Sequence, residues 1–592
     1  MAKSILYYGD NLDVLRTHVK DDSIDLIYLD PPFNSKRDYN VLFQERDEKD
    51  SEAQIRAFGD YWKWDRNAAQ TYRDLVDEEA EDRGVPTKLV ALMESLHGFL
   101  GENDMMAYLA MMAIRTVELR RVLKPTGSLY LHCDPTSSHY LKLILDAVFG
   151  PERFVNEIIW RRTGSHKPSR SFGPIHDSIL FYSKTDAYYF KPVKRPYSRQ
   201  HVQGRYTPDA TGRLKFTSGG NVLSGAGKTK GESGATWRGF DPSAKGRHWA
   251  VPGFLTEQMP EGFSDLGVLA KLEALYAAKL IDIVPGTAWP TPVRYLGSDD
   301  GNPTGDIWAY QPGTDNTLHG TDKGIDHDVA WLGPTDPERL GYQTQKPVGL
   351  VERIISASCP EEGTVLDPFC GCGTAVHAAQ KMGRPWVGID ITHLAISLIR
   401  SRLDAAFPAL KYGVRGEPSD VESARVLAEQ DAYQFQWWAL HMIGARPVGD
   451  GTGREGKKGS DKGIDGVIRF RDDPAADKSQ RIIVSVKAGR NLAPAMVRDL
   501  RGTIERDKAP IGVLLTMHEP SPQMRAEAAK AGPWKSPTWQ REYPKIQILT
   551  VAEAFAGKRV EYPGQDMTQQ TAEAEPEQPP KRQAKGASKR RQ

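Results

Sequence analysis

Two short segments constrain what this chain can fold into more than any other feature. The apolar run Ile24–Leu29 leads into Asp30-Pro31-Pro32-Phe33, and Gly363–Leu366 leads into Asp367-Pro-Phe-Cys-Gly-Cys-Gly-Thr374. Each segment has the pattern of a buried strand that opens into a tight turn and then a helix. Units of this kind build a mostly parallel sheet that is covered by helices on both faces, so we predict an α/β fold.

The same alternation of strand-like and helix-like stretches divides the chain into units. It fills residues 1–160 and resumes at 341–415, whereas the residues between them are rich in Gly, Pro, Arg, Lys and Trp and lack apolar periodicity. Gly413–Ser419 is expected to be a linker. The predicted units are an α/β half at 1–160, a large irregular insert at 161–340, a second α/β half at 341–415, a separate α/β unit at 420–563 and a disordered polar tail at 564–592.

Composition narrows the class of protein. The 592 residues exceed what one compact domain holds, and the sequence contains no run of about 18 apolar residues that could cross a membrane. The four cysteines are too few and too scattered for a disulfide framework, which favours reduced thiols and a cytoplasmic location. Because 78 Lys and Arg balance 77 Asp and Glu, a polyanionic partner would have to be met by local patches of charge.

The turn at 371–374 has the composition of a nucleoside site. Gly371 and Gly373 allow the backbone to approach a ligand closely, and Asp390, which ends the next strand about 20 residues later, could accept hydrogen bonds from ribose hydroxyls. The turn lacks the Gly-x-Gly-x-x-Gly pattern that binds a pyrophosphate, and the match to that pattern at 451–456 has no strand before it. A nucleoside cofactor without phosphates therefore fits better than a dinucleotide.

The turn at 30–33 presents hydrogen-bond acceptors to a planar amine. An exocyclic amine of a base is a poor nucleophile because its lone pair is delocalised into the ring. The Asp30 carboxylate and the Pro31 carbonyl could accept its hydrogens and free that lone pair. Pro31 and Pro32 stiffen the turn and donate no N–H, and Phe33 offers a ring on which an extruded base can stack. A rigid turn with a capping Asp is the structural alternative, and these residues alone leave both open.

Together with further segments, the two motifs resemble the S-adenosylmethionine-dependent amino-methyltransferases of DNA, which modify adenine N6 or cytosine N4. The order of the motifs resembles the subgroup in which the catalytic half precedes the cofactor half. The resemblance covers about residues 1–405 and implies a Rossmann-like methyltransferase fold. The matching segments are Tyr8-Gly9-Asp10, Asp30–Phe33, Ser128–Asp134, Asn156–Trp160, Asp177–Tyr182, Thr344–Pro347 and Asp367–Thr374.

The resemblance also implies roles for the matched residues. The tetrapeptide Asp30-Pro31-Pro32-Phe33 would be catalytic, and S-adenosyl-L-methionine would be the cofactor, with no metal needed for methyl transfer. Asp is common at the first catalytic position of adenine-N6 enzymes and Ser is frequent in cytosine-N4 enzymes, so Asp30 favours adenine while the cytosine alternative stays open. The residues implied to bind the cofactor are Asp10, Thr344, Gln345, Lys346, Asp367, Phe369, Gly371, Gly373, Thr374 and Asp390.

The insert at 161–340 is implied to be the target recognition region for double-stranded DNA. The setting implied is restriction–modification or a related defence or epigenetic system, in the cytoplasm and at the nucleoid through DNA, with no membrane. A homodimer and a separate restriction subunit are candidate partners. His132 and Asp134 have the chemistry of metal ligands, but at the end of a strand they fit a supporting role better. Candidate contacts to phosphate or guanine are Arg161, Arg162, His166, Lys167 and Arg170.

Residues 420–563 resemble the PD-(D/E)xK nuclease core of Mrr-like restriction enzymes. In active members, an Asp and a Glu or Gln two residues before a Lys bind a divalent metal. Here Asp465 and Lys487 match, but Ser485 replaces the Glu or Gln, and Gln436 stands where a Glu is usual. One carboxylate holds Mg²⁺ weakly. Three alternatives therefore stay open: Mg²⁺-dependent cleavage through Asp465, Ser485 and Lys487, a degenerate or DNA-binding module, and an unrelated accessory unit.

Overall fold

The structure, a computed structural model, describes residues 4–32, 63–164, 172–217, 223–283, 289–340, 342, 344–448, 464–473 and 479–563. The chain divides into two compact units, the first formed by Met1–Lys191 with Trp331–Gln592 and the second by Pro192–Ala330. Within the described ranges, no helix combines the length and the apolar character needed to cross a membrane.

The first part of the larger unit alternates strands and helices. Helix α1 begins where the Asp10 carboxylate accepts a hydrogen bond from the Leu12 N–H, at 2.7 Å. Helices α2 and α3 lie in a polar stretch that the sequence pattern did not assign. The elements are β1 (Ile5–Tyr8), α1 (Asn11–His18), β2 (Ile24–Leu29), α2 (Arg66–Val76), α3 (Thr87–Leu100), α4 (Asp104–Val122), β3 (Leu123–Cys133), α5 (Ser138–Phe149), β4 (Phe154–Arg161) and β5 (His176–Ser183).

The smaller unit has short elements around its own hydrophobic core. Trp237 and Trp249 are buried in that core, and the rings of Trp249 and Trp289 stack with centroids 4.8 Å apart. These tryptophans therefore hold the insert together instead of lying open for stacking on bases. The elements are β6 (Lys194–Pro196), α6 (Arg199–Arg205), β7 (Thr207–Pro208), β8 (Leu214–Thr217), β9 (Ser224–Ala226), β10 (Arg247–Trp249), α7 (Gly253–Thr256), α8 (Val268–Ala277), β11 (Ile281–Asp282), β12 (Thr291–Tyr295), β13 (Gly301–Pro303) and β14 (Ile307–Trp308).

The larger unit resumes with a second run of strands and helices. One expectation for this region is wrong: Gly413–Ser419 is not simply a linker, because it begins with a strand that pairs with β1, Ile5 lying opposite Gly413. The elements are α9 (Val348–Ser358), β15 (Val365–Asp367), α10 (Thr374–Lys381), β16 (Trp386–Asp390), α11 (His393–Ala406) and β17 (Gly413–Arg415).

The two runs of this unit share one sheet, in the order β4-β5-β3-β2-β15-β16-β1-β17. From β3 to β17 every neighbouring pair is parallel, and β5 is antiparallel to both of its neighbours, β3 and β4. Every residue of β2 is buried, as expected for a central strand that is covered on both faces. The predicted α/β fold with a mostly parallel sheet is confirmed.

The sheet order brings together the motifs that lie far apart in the sequence. Strand β2 is the neighbour of β15, with Ile27 opposite Leu366, so the turns that follow the two strands lie side by side. Asp390 ends the next strand, and Tyr8 lies opposite it on β1. In a parallel sheet of this kind, ligands bind at the carboxyl ends of the strands.

The C-terminal part of the chain has a second sheet, in the order β18-β19-β20-β21-β24. Strands β20, β21 and β24 are parallel, and β19 is antiparallel to β20. This confirms the predicted α/β character of the region. The elements are α12 (Val421–Gln430), α13 (Ala432–Met442), β18 (Arg446–Pro447), β19 (Gly466–Phe470), β20 (Gln480–Lys487), α14 (Pro494–Arg506), β21 (Ile511–Thr516), α15 (Pro522–Ala529), β22 (Pro533–Lys535), β23 (Glu542–Pro544), β24 (Ile546–Thr550) and α16 (Val551–Phe555).

Candidate active site

Asp30 follows the buried strand β2 and is paired with a buried lysine. The Lys346 ammonium donates a hydrogen bond to Asp30 Oδ2 at 2.5 Å and another to the Thr344 carbonyl at 3.3 Å. Lys346 is only 7% exposed, and a buried ammonium needs a charged partner. Within the described ranges, Asp30 Oδ1 has no hydrogen-bond partner. Sequence reasoning assigned Lys346 to the cofactor, whereas the structure brings its ammonium to Asp30.

The rest of the turn that begins at Asp30 is described only in part. Pro31 is buried and Pro32 is exposed. Neither has an N–H, so the two prolines bring no donor that would compete for the Asp30 carboxylate. Phe33 lies outside the described residues, and its stacking role stays a prediction.

A chain of buried polar side chains begins at Tyr28, two residues before Asp30. The Tyr28 hydroxyl is 3.0 Å from His132 Nδ1, and His132 Nε2 is 3.1 Å from Asp177 Oδ2. Arg162 extends the chain, with its Nη1 at 3.3 Å from Asp177 Oδ1. Burial raises the pKa of Tyr28 well above its ordinary value. Although burial alone would raise the pKa of Asp177, the hydrogen bond with His132 and the positive charges of His132, Lys346 and Arg162 lower it.

His132 and Asp134 have separate supporting roles. Asp134 Oδ1 accepts hydrogen bonds from the backbone N–H of Thr136 at 3.1 Å and of Ser137 at 3.2 Å, just before helix α5. His132 instead contacts the Tyr28 hydroxyl. In the part of the chain that is described, no group of three or more His, Cys, Asp or Glu side chains could hold a metal ion.

The turn after β15 requires its glycines. Gly371 has φ +51° and Gly373 has φ +76°, in the left-handed region that favours glycine. A Cβ on Gly371 would lie 3.1 Å from the Tyr342 ring, and one on Gly373 would lie 2.7 Å from Ile399 Cγ1. The turn is therefore a close-fitting cradle of bare backbone at the start of α10.

Two carboxylates flank this cradle, and one of them, Asp367, is buried. Asp390 Oδ2 accepts a hydrogen bond from the Gly371 N–H at 2.8 Å, and its Oδ1 accepts one from the Thr392 N–H at 2.9 Å. Burial raises the pKa of Asp390 to about 6. Asp367 accepts a hydrogen bond from the Phe369 N–H at 3.0 Å. Burial and the nearby negative charge of Asp30 raise the pKa of Asp367 to about 8.

Asp10, which the sequence resemblance assigns to the cofactor, is held by an arginine. Arg115 Nη2 lies 2.9 Å from Asp10 Oδ1 and 2.8 Å from Oδ2. The next residue ties the two motifs together, because Asn11 Nδ2 donates to the Pro368 carbonyl at 2.8 Å. Strand β1 is thereby fixed against the glycine-rich turn.

The segment before α9 is fixed by its own side chains. Gln345 Oε1 accepts from the Leu340 N–H, and its Nε2 donates to the Glu338 carbonyl, both at 2.8 Å. The Thr374 hydroxyl donates to the Lys346 carbonyl at 3.3 Å. Gln345 and Thr374 thus shape the loop that carries Lys346, and their contact with a cofactor stays a prediction.

The predicted DNA contacts at the start of the insert are described only in part. The Arg161 guanidinium lies over the Trp331 ring, 5.0 Å from its centroid, and Arg162 pairs with Asp177. His166, Lys167 and Arg170 lie outside the described residues. Direct contact of any of the five with DNA stays a prediction.

In the C-terminal sheet, the residues of the nuclease pattern are close together but engage one another. The Ser485 hydroxyl donates a hydrogen bond to Asp465 Oδ2 at 3.0 Å, and the Val486 N–H donates to the same oxygen at 2.7 Å. A hydroxyl therefore stands where an active enzyme needs a metal ligand. Lys487 is on the same strand, opposite Thr516 of β21.

Sequence reasoning missed several residues of the site. Arg115 binds Asp10, Tyr342 lies against the backbone of the glycine-rich turn, and Arg402 Nη1 donates to the Cys372 carbonyl at 3.2 Å. None of these three belongs to a matched motif. Tyr342 is the one of the three that the sequence could most readily have indicated, since it lies just before the matched segment Thr344–Pro347.

Two family models match this chain, one over the methyltransferase-like region and one over the C-terminal region. A DNA methylase model for N6 and N4 methyltransferases matches residues 24–401. A second model, described as NACHT-associated inactive Restriction Endonuclease 1, matches residues 451–555.

The relatives found are modification enzymes. The type II methyltransferase M.EcaI of Enterobacter cloacae is 29% identical over 303 residues, which are 50% of this chain and 57% of that protein. The Mod subunit of the type III restriction-modification enzyme StyLTI of Salmonella typhimurium is 26% identical over 398 residues, 64% of this chain and 50% of that protein. The chain therefore spans about half the length of these relatives.

Among solved structures, a modification methylase from Thermus thermophilus in complex with S-adenosyl-L-methionine covers 70% of this chain and 99% of its own. Its sequence identity is 14% and its TM-score 0.30, a likeness too low to support a conclusion.

Proposed function

Since the chain belongs to the DNA methylase family, whose model matches residues 24–401, we propose that it is a site-specific DNA methyltransferase that modifies N6 of adenine in double-stranded DNA. The observation that carries the proposal is the position of Asp30. Its carboxylate forms an ion pair with Lys346. Asp30 follows β2, and β2 is the neighbour of β15, the strand that leads into the turn of Gly371 and Gly373. An amine acceptor and a nucleoside cradle therefore lie at the same edge of the sheet.

Adenine is proposed over cytosine because of the residue type at position 30. A carboxylate is common at the first catalytic position in adenine-N6 members of the family and serine is frequent in cytosine-N4 members. Cytosine N4 remains the alternative product of the same chemistry.

Asp30 and Pro31 activate the amine of an extruded adenine. Asp30 Oδ1 and the Pro31 carbonyl accept the two amine hydrogens, which draws the nitrogen toward tetrahedral geometry and frees its lone pair. With the cofactor bound, the nitrogen would form the new N–C bond, the C–S electron pair would stay on sulfur, and one amine proton would pass by way of the Asp30 carboxylate to solvent water, so the methylated base would be neutral. Lys346 holds Oδ2 and thereby fixes which oxygen faces the base.

The residues of the cradle fit a nucleoside with a sulfonium side chain. The close-fitting glycine backbone leaves no room for side chains at 371 and 373, and the carboxylates of Asp367 and Asp390 flank it. S-adenosyl-L-methionine, when bound, would supply the methyl group as an electrophilic carbon on sulfur. Asp390 would hold the ribose, and Asp10 with the loop of Lys346 would hold the two ends of the cofactor. No metal is needed for this transfer.

The surrounding assignments follow from the same proposal. The insert at 161–340 would recognise the DNA site, with Arg161, Arg162, His166, Lys167 and Arg170 as candidate contacts. A restriction–modification setting is supported by the printed names of the relatives, one of which is a Mod subunit. We propose that this chain likewise modifies DNA in the cytoplasm, that it forms a homodimer and that a separate subunit cleaves.

Cleavage by the C-terminal region is not part of the proposal. The Ser485 hydroxyl bonds to the one carboxylate of the nuclease pattern, Asp465, and among the described residues no group of three or more His, Cys, Asp or Glu side chains could hold a metal ion. The matching family model carries the description inactive.

Mass spectrometry of methylated DNA tests the proposal. Purified full-length protein is incubated with methyl-labelled S-adenosyl-L-methionine and unmodified DNA, and the DNA is digested to nucleosides. Labelled N6-methyldeoxyadenosine is the expected product. Labelled N4-methyldeoxycytidine would overturn the adenine assignment, and unlabelled DNA from protein that binds the cofactor would overturn DNA methylation itself.

A further inference from the structure

The loop between β16 and α11 fixes the carboxylate of Asp390 beside the glycine-rich turn. The Thr392 N–H and hydroxyl both donate to Asp390 Oδ1 at 2.9 Å, and the Gly371 N–H donates to Oδ2 at 2.8 Å. Thr392 is also the N-cap of α11, because its hydroxyl accepts a hydrogen bond from the Ala395 N–H at 3.1 Å. The position of the Asp390 carboxylate therefore depends on how the first turn of α11 is held.

The first N–H of α11 is bound by a side chain from the C-terminal region. The first N–H groups of a helix have no carbonyl partner within that helix. The His393 N–H donates to Gln434 Oε1 at 2.8 Å, and the two residues are buried, with 0% and 4% of their surface exposed. Gln434 lies on α13, which packs against α11. Neither family model includes Gln434, since one ends at residue 401 and the other begins at 451.

The His393 side chain extends this contact to the end of β1. Its ring stacks on the Tyr8 ring, with centroids 3.7 Å apart and planes 20° apart. The start of α13 lies near the same ring, because burial and then the negative charge of Asp431, the N-cap of α13, raise the pKa of Tyr8 to about 12. His393 thus joins the ends of β1 and β16, and Gln434 holds the backbone of His393.

We propose that Gln434 is a positioning residue for S-adenosyl-L-methionine, so that the C-terminal region supports the cofactor site. The proposal rests on the proposed function, in which Asp390 holds the ribose of that cofactor. Gln434 acts through His393 and Thr392, not by contact with the cofactor. Without the Gln434 oxygen, the buried His393 N–H is left unpaired, and the loop at 390–393 shifts to regain a partner. Cofactor affinity then falls, because the Asp390 carboxylate is no longer preorganised.

Isothermal titration calorimetry of the full-length protein tests this role. Gln434→Met keeps a similar size and removes the acceptor, so the Kd of S-adenosyl-L-methionine should rise about 5- to 30-fold. At saturating cofactor, kcat for methyl transfer should stay within about 2-fold of wild type, because Asp30 and Pro31 are unchanged. Gln434→Glu retains an oxygen acceptor and should recover most of the affinity. A lower Tm of Gln434→Met with an unchanged Kd would mean that Gln434 supports only the fold, and would overturn the proposal.

Gln436→Met is the matched control, since it makes the same exchange on the same helix. The Gln436 side chain is half-buried and lies about 200° from Gln434 around the helix axis. The Kd of S-adenosyl-L-methionine for this variant should equal that of wild type. An equal rise in Kd for Gln434→Met and Gln436→Met would contradict a specific role of Gln434.

Hydrogen exchange in the wild-type protein tests the coupling without any substitution. Coupling between two sites is reciprocal, so bound cofactor should in turn hold the start of α13 against α11. The Tyr433 and Gln434 N–H groups donate to Asp431 Oδ1, both at 3.0 Å. They should exchange several-fold more slowly when S-adenosyl-L-methionine is bound. Equal exchange with and without bound cofactor would overturn the proposal.

Failure of this proposal can be told apart from failure of the proposed function. Equal cofactor binding by wild type and Gln434→Met overturns the role of Gln434 alone. Cofactor binding that depends on Gln434, without transfer of label to DNA, overturns DNA methylation and supports the role of Gln434. Absence of cofactor binding in the wild-type protein overturns both.

Discussion

Two aspartates, Asp30 and Asp465, lie at the ends of strands in the two main sheets, and they have different hydrogen-bond partners. Asp30 is paired with the ammonium of Lys346, which lies 316 residues away in the sequence. Asp465 accepts hydrogen bonds from Ser485 and the Val486 N–H, on the adjacent strand. The partner of Asp30 is a cation, and it contacts only Oδ2. At Asp465 a neutral hydroxyl and a backbone amide share one oxygen, and Ser485 stands at the position where the nuclease pattern has its second metal ligand.

The comparison teaches that an aspartate at a strand end is not by itself a site. An acidic group is catalytically useful when a partner sets its charge and leaves an oxygen directed at the substrate. When a neighbour on the adjacent strand uses the same group as an acceptor, the carboxylate stabilises the sheet. The partner atoms, and not the residue type, distinguish the two regions.

Exchange of each aspartate for alanine gives the largest expected contrast. Asp30→Ala removes the acceptor for the amine, so kcat for methyl transfer should fall by about 1,000-fold or more, as for loss of a preorganised polar group. Asp465→Ala should leave kcat within about 2-fold. Methyl transfer is measured with labelled cofactor, and cofactor binding by calorimetry should persist in both. A comparable loss of activity in both variants would remove the distinction.

Substitution of Lys346 gives the next largest expected effect, because the ion pair with Lys346 distinguishes Asp30 from Asp465. Lys346→Met should lower kcat by about 10- to 100-fold, since Oδ2 loses its charge-assisted hydrogen bond. Lys346→Arg keeps a cation and should recover part of the rate. If Lys346 acts mainly on the cofactor, its loss will instead raise the Kd of S-adenosyl-L-methionine while kcat at saturation stays unchanged.

The sequence predicted the strands of this site better than their partners. Ile24–Leu29 was predicted to the residue, because buried parallel strands are short apolar runs that end at turn residues. The pairing of Lys346 with Asp30 was not predicted, since it depends on the order of strands across the sheet. β17 was expected to be a linker, because its few residues gain stability only from pairing with β1.

Asp367 sharpens the comparison, because this third aspartate is buried and, among the described residues, forms no ion pair. Its pKa is about 8 in the folded protein against an ordinary 3.8, so the folded state holds a proton that the unfolded chain releases near pH 4. The free energy of unfolding should therefore fall as pH rises from about 4 to 8. Asp367→Asn has no titrating carboxyl at this position and so lacks this pH dependence. Between about pH 4 and 8, its Tm relative to that of wild type should therefore rise by about 5 °C or more.

Cofactor-free protein is required for this measurement, which is made by scanning calorimetry in low-salt buffer. Asp390, with a pKa of about 6, contributes to the pH dependence in both proteins and cancels from the difference. Parallel curves of Tm against pH for wild type and Asp367→Asn would contradict the raised pKa of Asp367.

The smallest expected effect comes from giving Asp465 an acidic neighbour. Ser485→Glu places a second carboxylate beside Asp465 and removes the hydroxyl that now bonds to it, so Tm in EDTA should fall by a few degrees, about 2–4 °C per kcal/mol for a domain of this size. Mg²⁺ at about 10 mM would bind the carboxylate pair and restore part of that loss, because a ligand that binds only the folded state stabilises it by mass action. Ser485→Gln has a similar size without the charge and should lose stability without recovering in Mg²⁺, and wild type should not respond to Mg²⁺ at all. A Mg²⁺-dependent rise in the Tm of wild type would mean that Asp465 already holds a metal and that the two aspartates are less different than their partners indicate.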